Sequence, residues 1–72
     1  MTPKTIGQTI KNARRAQGLR QDQLAAVAGV GVRFLVELEA GKPTAQIGKT
    51  LDVLAALGCR MTIEAPALGS DS

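Results

Sequence analysis

Apolar side chains recur every three or four residues in four successive stretches of the chain, which predicts four helices. The first helix starts after Thr5, the predicted N-cap, and Gln8 three residues later completes a capping box. Gly18 is placed to end this helix, because glycine readily adopts the left-handed conformation that follows a last helical turn. The predicted inward face of the helix consists of Ile6, Ile10, Ala13 and Gln17.

Residues 20–41 contain two short helical patterns separated only by Gly29-Val30-Gly31, a connection too short for anything but a sharp corner. The inward positions are Leu24, Ala25 and Ala28 in the first pattern, and Phe34, Leu35 and Leu38 in the second. In the second pattern the positions that face outward are Val32, Arg33, Val36 and Glu37. This arrangement predicts a helix-turn-helix, in which the second helix is shaped to enter the major groove of DNA.

The last predicted helix covers about residues 45–57, with Thr44 as its cap. It is apolar on nearly two faces: one stripe is Ile47, Leu51, Leu54 and Ala55, and the other is Thr50, Val53 and Leu57. A monomer of this size cannot cover both stripes, so the pattern favours a second protein surface over part of this helix.

Strict alternation of apolar and polar residues over 59–65 predicts one β-strand, which Pro66 ends. Because nothing else in the chain has a strand pattern, the simplest partner is the same strand from a second copy. The predicted dimerisation residues are Cys59, Met61, Thr62, Ile63 and Ala65. The alternative is that this stretch is extended and mobile. We therefore predict a domain over 1–65 and a disordered tail over 66–72.

The residues around the predicted corner also resemble a known family. Gln21-x-x-Leu24-Ala25, Ala28-Gly29-Val30 and Leu35-x-x-Leu38-Glu39-x-Gly41-Lys42 are similar to the Cro/C1-type helix-turn-helix of phage repressors and bacterial regulators. A longer run resembles the HipB-like antitoxins: Arg33–Glu39, Gly41-Lys42-Pro43-Thr44, Ile47-Gly48-Lys49, Leu51, Leu54 and Leu57-Gly58, followed by one apolar strand. The resemblance implies an all-α, lambda repressor-like bundle whose C-terminal strand pairs across a homodimer. It also implies a HipA-like kinase toxin as a partner.

The composition limits the chemistry available to this chain. Seventy-two residues make one small domain, whose core alone supplies little net stability, so oligomerisation would help it. Cys59 is the only cysteine and histidine is absent, so we expect no disulfide, no metal site and no cofactor. The start of the chain lacks the apolar segment of a secretory signal, and no run is long enough to span a membrane. We therefore expect a cytoplasmic protein, associated with the nucleoid through DNA.

The charges are unevenly distributed along the chain, although the net charge is only +3. Five of the nine basic residues precede the first acidic residue, Asp22: they are Lys4, Lys11, Arg14, Arg15 and Arg20. A basic first segment beside a helix-turn-helix suits a phosphate backbone, although an ordinary solvated helix face explains it as well.

Arg14 lies next to the predicted buried stripe of the first helix, where an unpaired charge is costly. Glu39, one residue past the inward Leu38, is the predicted partner, and the family resemblance implies the same structural ion pair. The alternative is that the Arg14 side chain extends past the stripe into water.

Contacts to the DNA backbone are expected from the start of the first motif helix and from the loop after the second. The predicted phosphate-binding residues are Arg20, Gln21, Lys42, Lys11 and Arg15, and the predicted base-contacting positions are Gly31, Val32, Arg33, Val36 and Glu37. The fork of Arg33 matches the two acceptors of guanine, and Val32 suits a thymine methyl group. Glu37 either accepts from a cytosine amine or holds Arg33 as an i, i+4 pair, and we favour the second.

Enzymatic chemistry is not expected. Glu37 and Glu39 are two residues apart on a helix and diverge, and Cys59 has no histidine to activate it. The leading hypothesis is a dimeric antitoxin that binds a palindromic operator, represses its own operon and holds a HipA-like kinase inactive. The alternatives are a stand-alone regulator of the same fold and a protein-interaction module without DNA readout, for which the outward Val32 and Val36 are the support.

Overall fold

The structure is a computed structural model that describes residues 2–63, and within that range it is a bundle of four helices. They are α1 (Pro3–Ala16), α2 (Gln21–Ala28), α3 (Val32–Glu39) and α4 (Ile47–Ala56). The predicted helical fold, with a helix-turn-helix formed by α2 and α3, is confirmed. None of the helices in this range is both long and apolar enough to cross a membrane.

The core lies where α1 packs on α3 and where α2 packs on both α3 and α4. Each helix contributes one fully buried large side chain, and these are Ile10, Leu24, Leu35 and Val53. Ala25, Leu38, Leu54 and Leu57 complete the core. Gln17 is the exception among the predicted inward residues, because it is exposed after the end of α1, and its amide donates to the Leu57 carbonyl over 2.8 Å.

Each of these four helices is followed by a glycine in the left-handed conformation: Gly18, Gly29, Gly41 and Gly58. After α2, Gly29 has a φ of +75°, and the next residue, Val30, donates its N–H to the Ala25 carbonyl over 3.0 Å. Val30 then packs against the core. This Schellman arrangement turns the chain sharply and therefore sets the corner between α2 and α3.

The predicted start of α1 is wrong by three residues. Thr2 rather than Thr5 is the N-cap, and its hydroxyl accepts the Thr5 N–H over 3.1 Å. Pro3 occupies the first helical position, where its lack of an N–H carries no penalty, and this favours the earlier start. The predicted capping box is absent, since the Gln8 amide donates forward to Asn12 over 3.0 Å.

The predicted start of α4 is also wrong. The helix begins at Ile47, two residues later than predicted, and Gln46 rather than Thr44 precedes it. Thr44 instead belongs to a turn with Pro43. The Gln46 carbonyl accepts both the backbone N–H of Thr50, over 3.1 Å, and its hydroxyl, over 2.8 Å.

The core takes one of the two predicted stripes of α4 and leaves most of the other at the surface. Thr50, Val53 and Leu57 are buried, together with Leu54. Ile47 is 67% exposed and Leu51 is 45% exposed. An apolar strip on α4 is therefore free for a second surface.

The predicted β-strand at 59–65 is not formed in the single chain, since residues 59–63 have no regular secondary structure and no strand occurs among residues 2–63. A strand requires a ladder of hydrogen bonds to a neighbouring strand, and the four helices offer none. Cys59 and Met61 are half-buried against the core, whereas Thr62 is exposed and Ile63 is 85% exposed. Ala65 and the predicted tail lie outside the described residues.

Gly7 allows α1 to lie directly against the end of α3. It is buried, and a β-carbon at this position would overlap the carbonyl oxygen of Leu38 and lie 2.8 Å from that of Glu39. Any side chain here must therefore push the two helices apart.

We expect Gly7→Ala to lower the free energy of unfolding by about 1–3 kcal/mol, because backbone atoms cannot move aside cheaply. Gly48→Ala is the matched control, since its β-carbon would meet no atom within 4 Å. The control should leave stability unchanged or raise it by up to about 1 kcal/mol, as alanine favours a helix. Urea denaturation followed by circular dichroism measures both, and equal midpoints for the two variants would contradict the close approach.

Candidate nucleic-acid interface

The third helix divides its side chains between the core and the surface. Leu35, Leu38 and Glu39 are buried, whereas Val32 and Val36 are exposed and the side chain of Arg33 is 93% exposed. The corner after α2 sets this division, because it brings Gly31 to the N-cap of α3 in an extended conformation, without a side-chain cap. All the outward positions predicted for α3 thus lie on one accessible side, with Glu37 partly exposed beside them.

A buried ion pair joins α1 to the end of α3. The Arg14 Nε donates to one carboxylate oxygen of Glu39 over 2.7 Å, and its Nη2 donates to the other over 3.0 Å. Arg14 also donates to the Leu19 carbonyl over 2.8 Å. The hydrogen bond that Arg14 donates to Glu39 raises the pKa of Arg14 despite its burial, so the guanidinium remains charged. The structure therefore contains the predicted pair, in a bidentate form.

Gln21, the first residue of α2, connects to the same pair. Its side-chain amide donates to the Glu39 carboxylate over 3.2 Å, to the same oxygen that accepts from the Arg14 Nη2, so α1 and the start of α2 share one acceptor at the end of α3. Sequence analysis assigned this amide to a phosphate and missed the contact with Glu39. One of its two N–H groups thus serves the fold, while the backbone N–H at the start of α2 has no acceptor within its own helix.

Arg20 precedes α2 and is paired with an acidic residue at the surface. Its Nε lies 3.1 Å from a carboxylate oxygen of Asp22, and both side chains are well exposed. The hydrogen bond from Arg20 lowers the pKa of Asp22. The Gln23 side chain accepts the Arg20 N–H over 2.8 Å, which satisfies one backbone donor at this helix start.

Three charged side chains meet at the outer edge of α3. The two carboxylate oxygens of Glu37 point to different cations: one lies 3.8 Å from the Arg33 Nε and the other 3.0 Å from the Lys42 Nζ. Lys42 is held there by its backbone as well, because its N–H donates to the Glu37 carbonyl over 3.1 Å. The structure thus brings Arg33, Glu37 and Lys42 together as one group.

Lys49 is a further cation that sequence analysis missed. Its Nζ lies 5.6 Å from the ring centre of Phe34, a distance typical of a cation–π contact, and it places a positive charge near α3. The presence of the only aromatic residue in the chain is the signal that could have indicated a cation partner. The predicted phosphate contacts Lys11 and Arg15 lie on α1 and belong to none of these groups.

The described residues offer no obvious alternative site. Among residues 2–63 no three histidine, cysteine, aspartate or glutamate side chains are placed to hold a metal ion. Every buried side-chain nitrogen or oxygen in that range has a hydrogen-bond partner. The polar groups left free in that range are therefore at the surface.

Replacing Glu39 with glutamine keeps the shape of the side chain but removes its charge. We expect the free energy of unfolding to fall by about 3 kcal/mol or more, because the Arg14 guanidinium would stay buried without a counter-charge. Asp22→Asn is the control, since it breaks an exposed pair of the same kind and should change stability little. Thermal unfolding measures both variants, and a similar loss in both would show that burial does not distinguish the two pairs.

Comparisons with known proteins agree with this geometry. A family described as Helix-turn-helix matches residues 10–63, which include the second half of α1, all of α2–α4 and the segment after them. The chain is also 63% identical, over 65 residues, to an uncharacterized HTH-type transcriptional regulator, y4mF, of Sinorhizobium fredii (strain NBRC 101917 / NGR234). That match covers 90% of this chain and 86% of the relative. The chain therefore belongs to the helix-turn-helix family, with α2 and α3 as its defining pair.

Proposed function

We propose that this protein is a transcriptional regulator that binds double-stranded DNA with α3 in the major groove. The observation that carries the proposal is the exposed side of α3, where Val32, Arg33 and Val36 lie outside the buried core. A helix that packs against the bundle along one side and is exposed along the other can enter a major groove, which is about 12 Å wide. The name of the relative, an HTH-type transcriptional regulator, supports the same function.

Within this proposal Arg33 contacts a guanine, because its guanidinium fork matches the two acceptors of that base. Val32 and Val36 face thymine methyl groups, and Gly31 lets the start of α3 approach the bases closely. The DNA backbone is held by a separate set of residues on either side of α3: Arg20, Gln21, Lys42, Lys11 and Arg15. Base contacts set the sequence and backbone contacts set the position of the protein.

We further propose that the protein acts as a homodimer through residues 59–65, with two copies of the segment paired as strands. Ile63 supports this, since such an exposed apolar side chain favours a covering partner. Ile47 and Leu51 on α4 add to the apolar surface, and a shallow groove continues it, lined mainly by Pro3, Ile6, Leu38, Pro43, Ala45, Ile47 and Met61. A dimer would place two α3 helices about 34–36 Å apart and would therefore bind a palindromic operator.

The resemblance to HipB-like antitoxins supports a more specific role. We propose that the dimer represses its own operon and binds a HipA-like kinase toxin in the cytoplasm. The alternative is a stand-alone regulator of the same fold, which the name of the relative fits equally well. A kinase-toxin reading frame beside this one distinguishes them, together with co-purification of the two products.

DNA binding should depend steeply on salt and on Arg33. Affinity for the promoter DNA upstream of this reading frame should fall by about 0.9 log units per log unit of salt for each phosphate contacted. Arg33→Ala should lower operator affinity by about tenfold or more, since a bidentate guanine contact is worth about 1–3 kcal/mol. Fluorescence anisotropy with labelled promoter DNA at several salt concentrations measures both effects.

Lys4→Ala is the matched control for this experiment, because it removes the same charge from an exposed position on α1, outside the proposed DNA contacts and the proposed dimer interface. It should leave sequence preference unchanged. Affinity that is weak, independent of salt and equal for all sequences would contradict DNA readout and would favour the protein-interaction hypothesis.

The dimer should dissociate when its apolar contact is made charged. Ile63→Asp is expected to shift the protein to a single chain in sedimentation velocity, because a buried carboxylate without a partner is costly. Val27→Asp on α2 is the control, since Val27 is 68% exposed and lies outside the proposed interface. A monomeric unaltered protein at the concentration that binds DNA would refute the dimer.

A further inference from the structure

Glu37 occupies an unusual place for a residue on a DNA-binding helix, since it carries a negative charge towards a polyanion. Its carboxylate lies between two cations, with one oxygen 3.8 Å from the Arg33 Nε and the other 3.0 Å from the Lys42 Nζ. The two basic side chains and the one acidic side chain together carry a net positive charge. The group as a whole therefore attracts DNA even though it contains a carboxylate.

The three side chains differ in how far they extend from the protein. The Arg33 side chain is 93% exposed, whereas those of Glu37 and Lys42 are 39% and 48% exposed, so the arginine is much the most accessible of the three. Lys42 is fixed beside it twice, through its side chain and through the backbone bond between its N–H and the Glu37 carbonyl. Glu37 thus has one partner within hydrogen-bond distance, Lys42, and a more distant one, Arg33.

We propose that Glu37 is a positioning residue for Arg33 and that it does not contact a base itself. An exposed arginine samples many rotamers, and a carboxylate one helical turn away restricts them to those that direct the guanidinium along α3. Lys42 balances the charge of Glu37 and holds its other oxygen. A cytosine amine would have to displace the hydrogen bond that Lys42 donates to Glu37. A hydrogen bond between charged groups is shorter and stronger than one between neutral groups.

This inference rests on the proposed function and makes it more specific. The operator half-site should require guanine at the base pair that faces Arg33. It should show no selection for cytosine at the base pair that faces Glu37. The proposed DNA target is therefore a half-site that receives one charged base contact, from Arg33, for each copy of α3. Val32 and Val36 add apolar contacts to the same half-site.

A double-mutant cycle tests the proposal on the full chain, with Glu37→Gln, Arg33→Ala and the combined variant. Each protein is titrated with operator half-sites in which every base pair is varied in turn, and with random-sequence DNA. Glu37→Gln should lower the preference for guanine about two- to fivefold, the range for an exposed ion pair. It should also raise affinity for random DNA, because a negative charge is removed. In the Arg33→Ala background, Glu37→Gln should change no base preference.

Asp22→Asn is the matched control, since Asp22 is the acidic partner of Arg20 on the same side of the protein. It should raise affinity for random DNA and leave the guanine preference intact. Unfolding midpoints measured in parallel separate a positioning role from a loss of structure, because only the former changes base preference at equal stability.

Two results would overturn the proposal. One is an unchanged guanine preference in Glu37→Gln, and the other is a change at a second base pair that persists without Arg33, which would make Glu37 a base contact. Absence of salt-dependent DNA binding by the unaltered protein would overturn the proposed function itself, and this inference with it.

Discussion

The buried pair between Arg14 and Glu39 determines how three of the four helices meet. Arg14 comes from α1 and Glu39 from the end of α3, and Gln21 adds the start of α2 to the same carboxylate. Removing two charges from water is expensive, and their attraction in the interior roughly offsets that cost. Such a pair therefore adds little net stability, but it permits only one arrangement of the helices that carry it. In a domain with so small a core, this restriction keeps α3 at a defined angle.

The surface of α1 that receives α3 is built around this pair. Gly7, Ile10 and Arg14 are the buried residues of α1, and their spacing of three and four places them on one side of the helix. Gly7 lets the backbones approach, Ile10 fills the core, and Arg14 supplies the charge. Close contact at one end of the stripe and a bidentate bond at the other leave α3 little freedom to slide along α1.

Much of this arrangement could be predicted from the sequence, because the relevant signals are local. Helical periodicity identified the core positions Ile10, Leu24 and Leu35, and glycine marked the ends of the helices. Arg14 was a strong candidate for an ion pair since it lies beside an apolar stripe. The bond from Gln21 to Glu39 could not be predicted, because it depends on the distance between the ends of two different helices.

Other features were ambiguous in the sequence for identifiable reasons. Thr2 and Thr5 are both suitable N-caps for α1. Pro3 favours Thr2, because a residue without an N–H carries no penalty at the first helical position. The two stripes of α4 are similarly apolar, so periodicity alone could not show that Val53 faces inward and Ile47 outward. Gly7 gave no signal, since a residue without a side chain does not register in a hydrophobic pattern. Alternation over 59–63 gives a strand pattern, but a strand also needs a neighbouring strand to pair with, and the four helices offer none.

The division of α3 into a buried side and an exposed side has a consequence for how the sequence of this helix can evolve. Leu35, Leu38 and Glu39 are buried, whereas Val32, Arg33 and Val36 are exposed. Substitutions at the outer positions therefore alter little of the stability on which the domain depends. Within the proposed function, the same scaffold can be retargeted to new operators by substitutions at the outer positions, while Arg14 and Glu39 can be exchanged only as a pair.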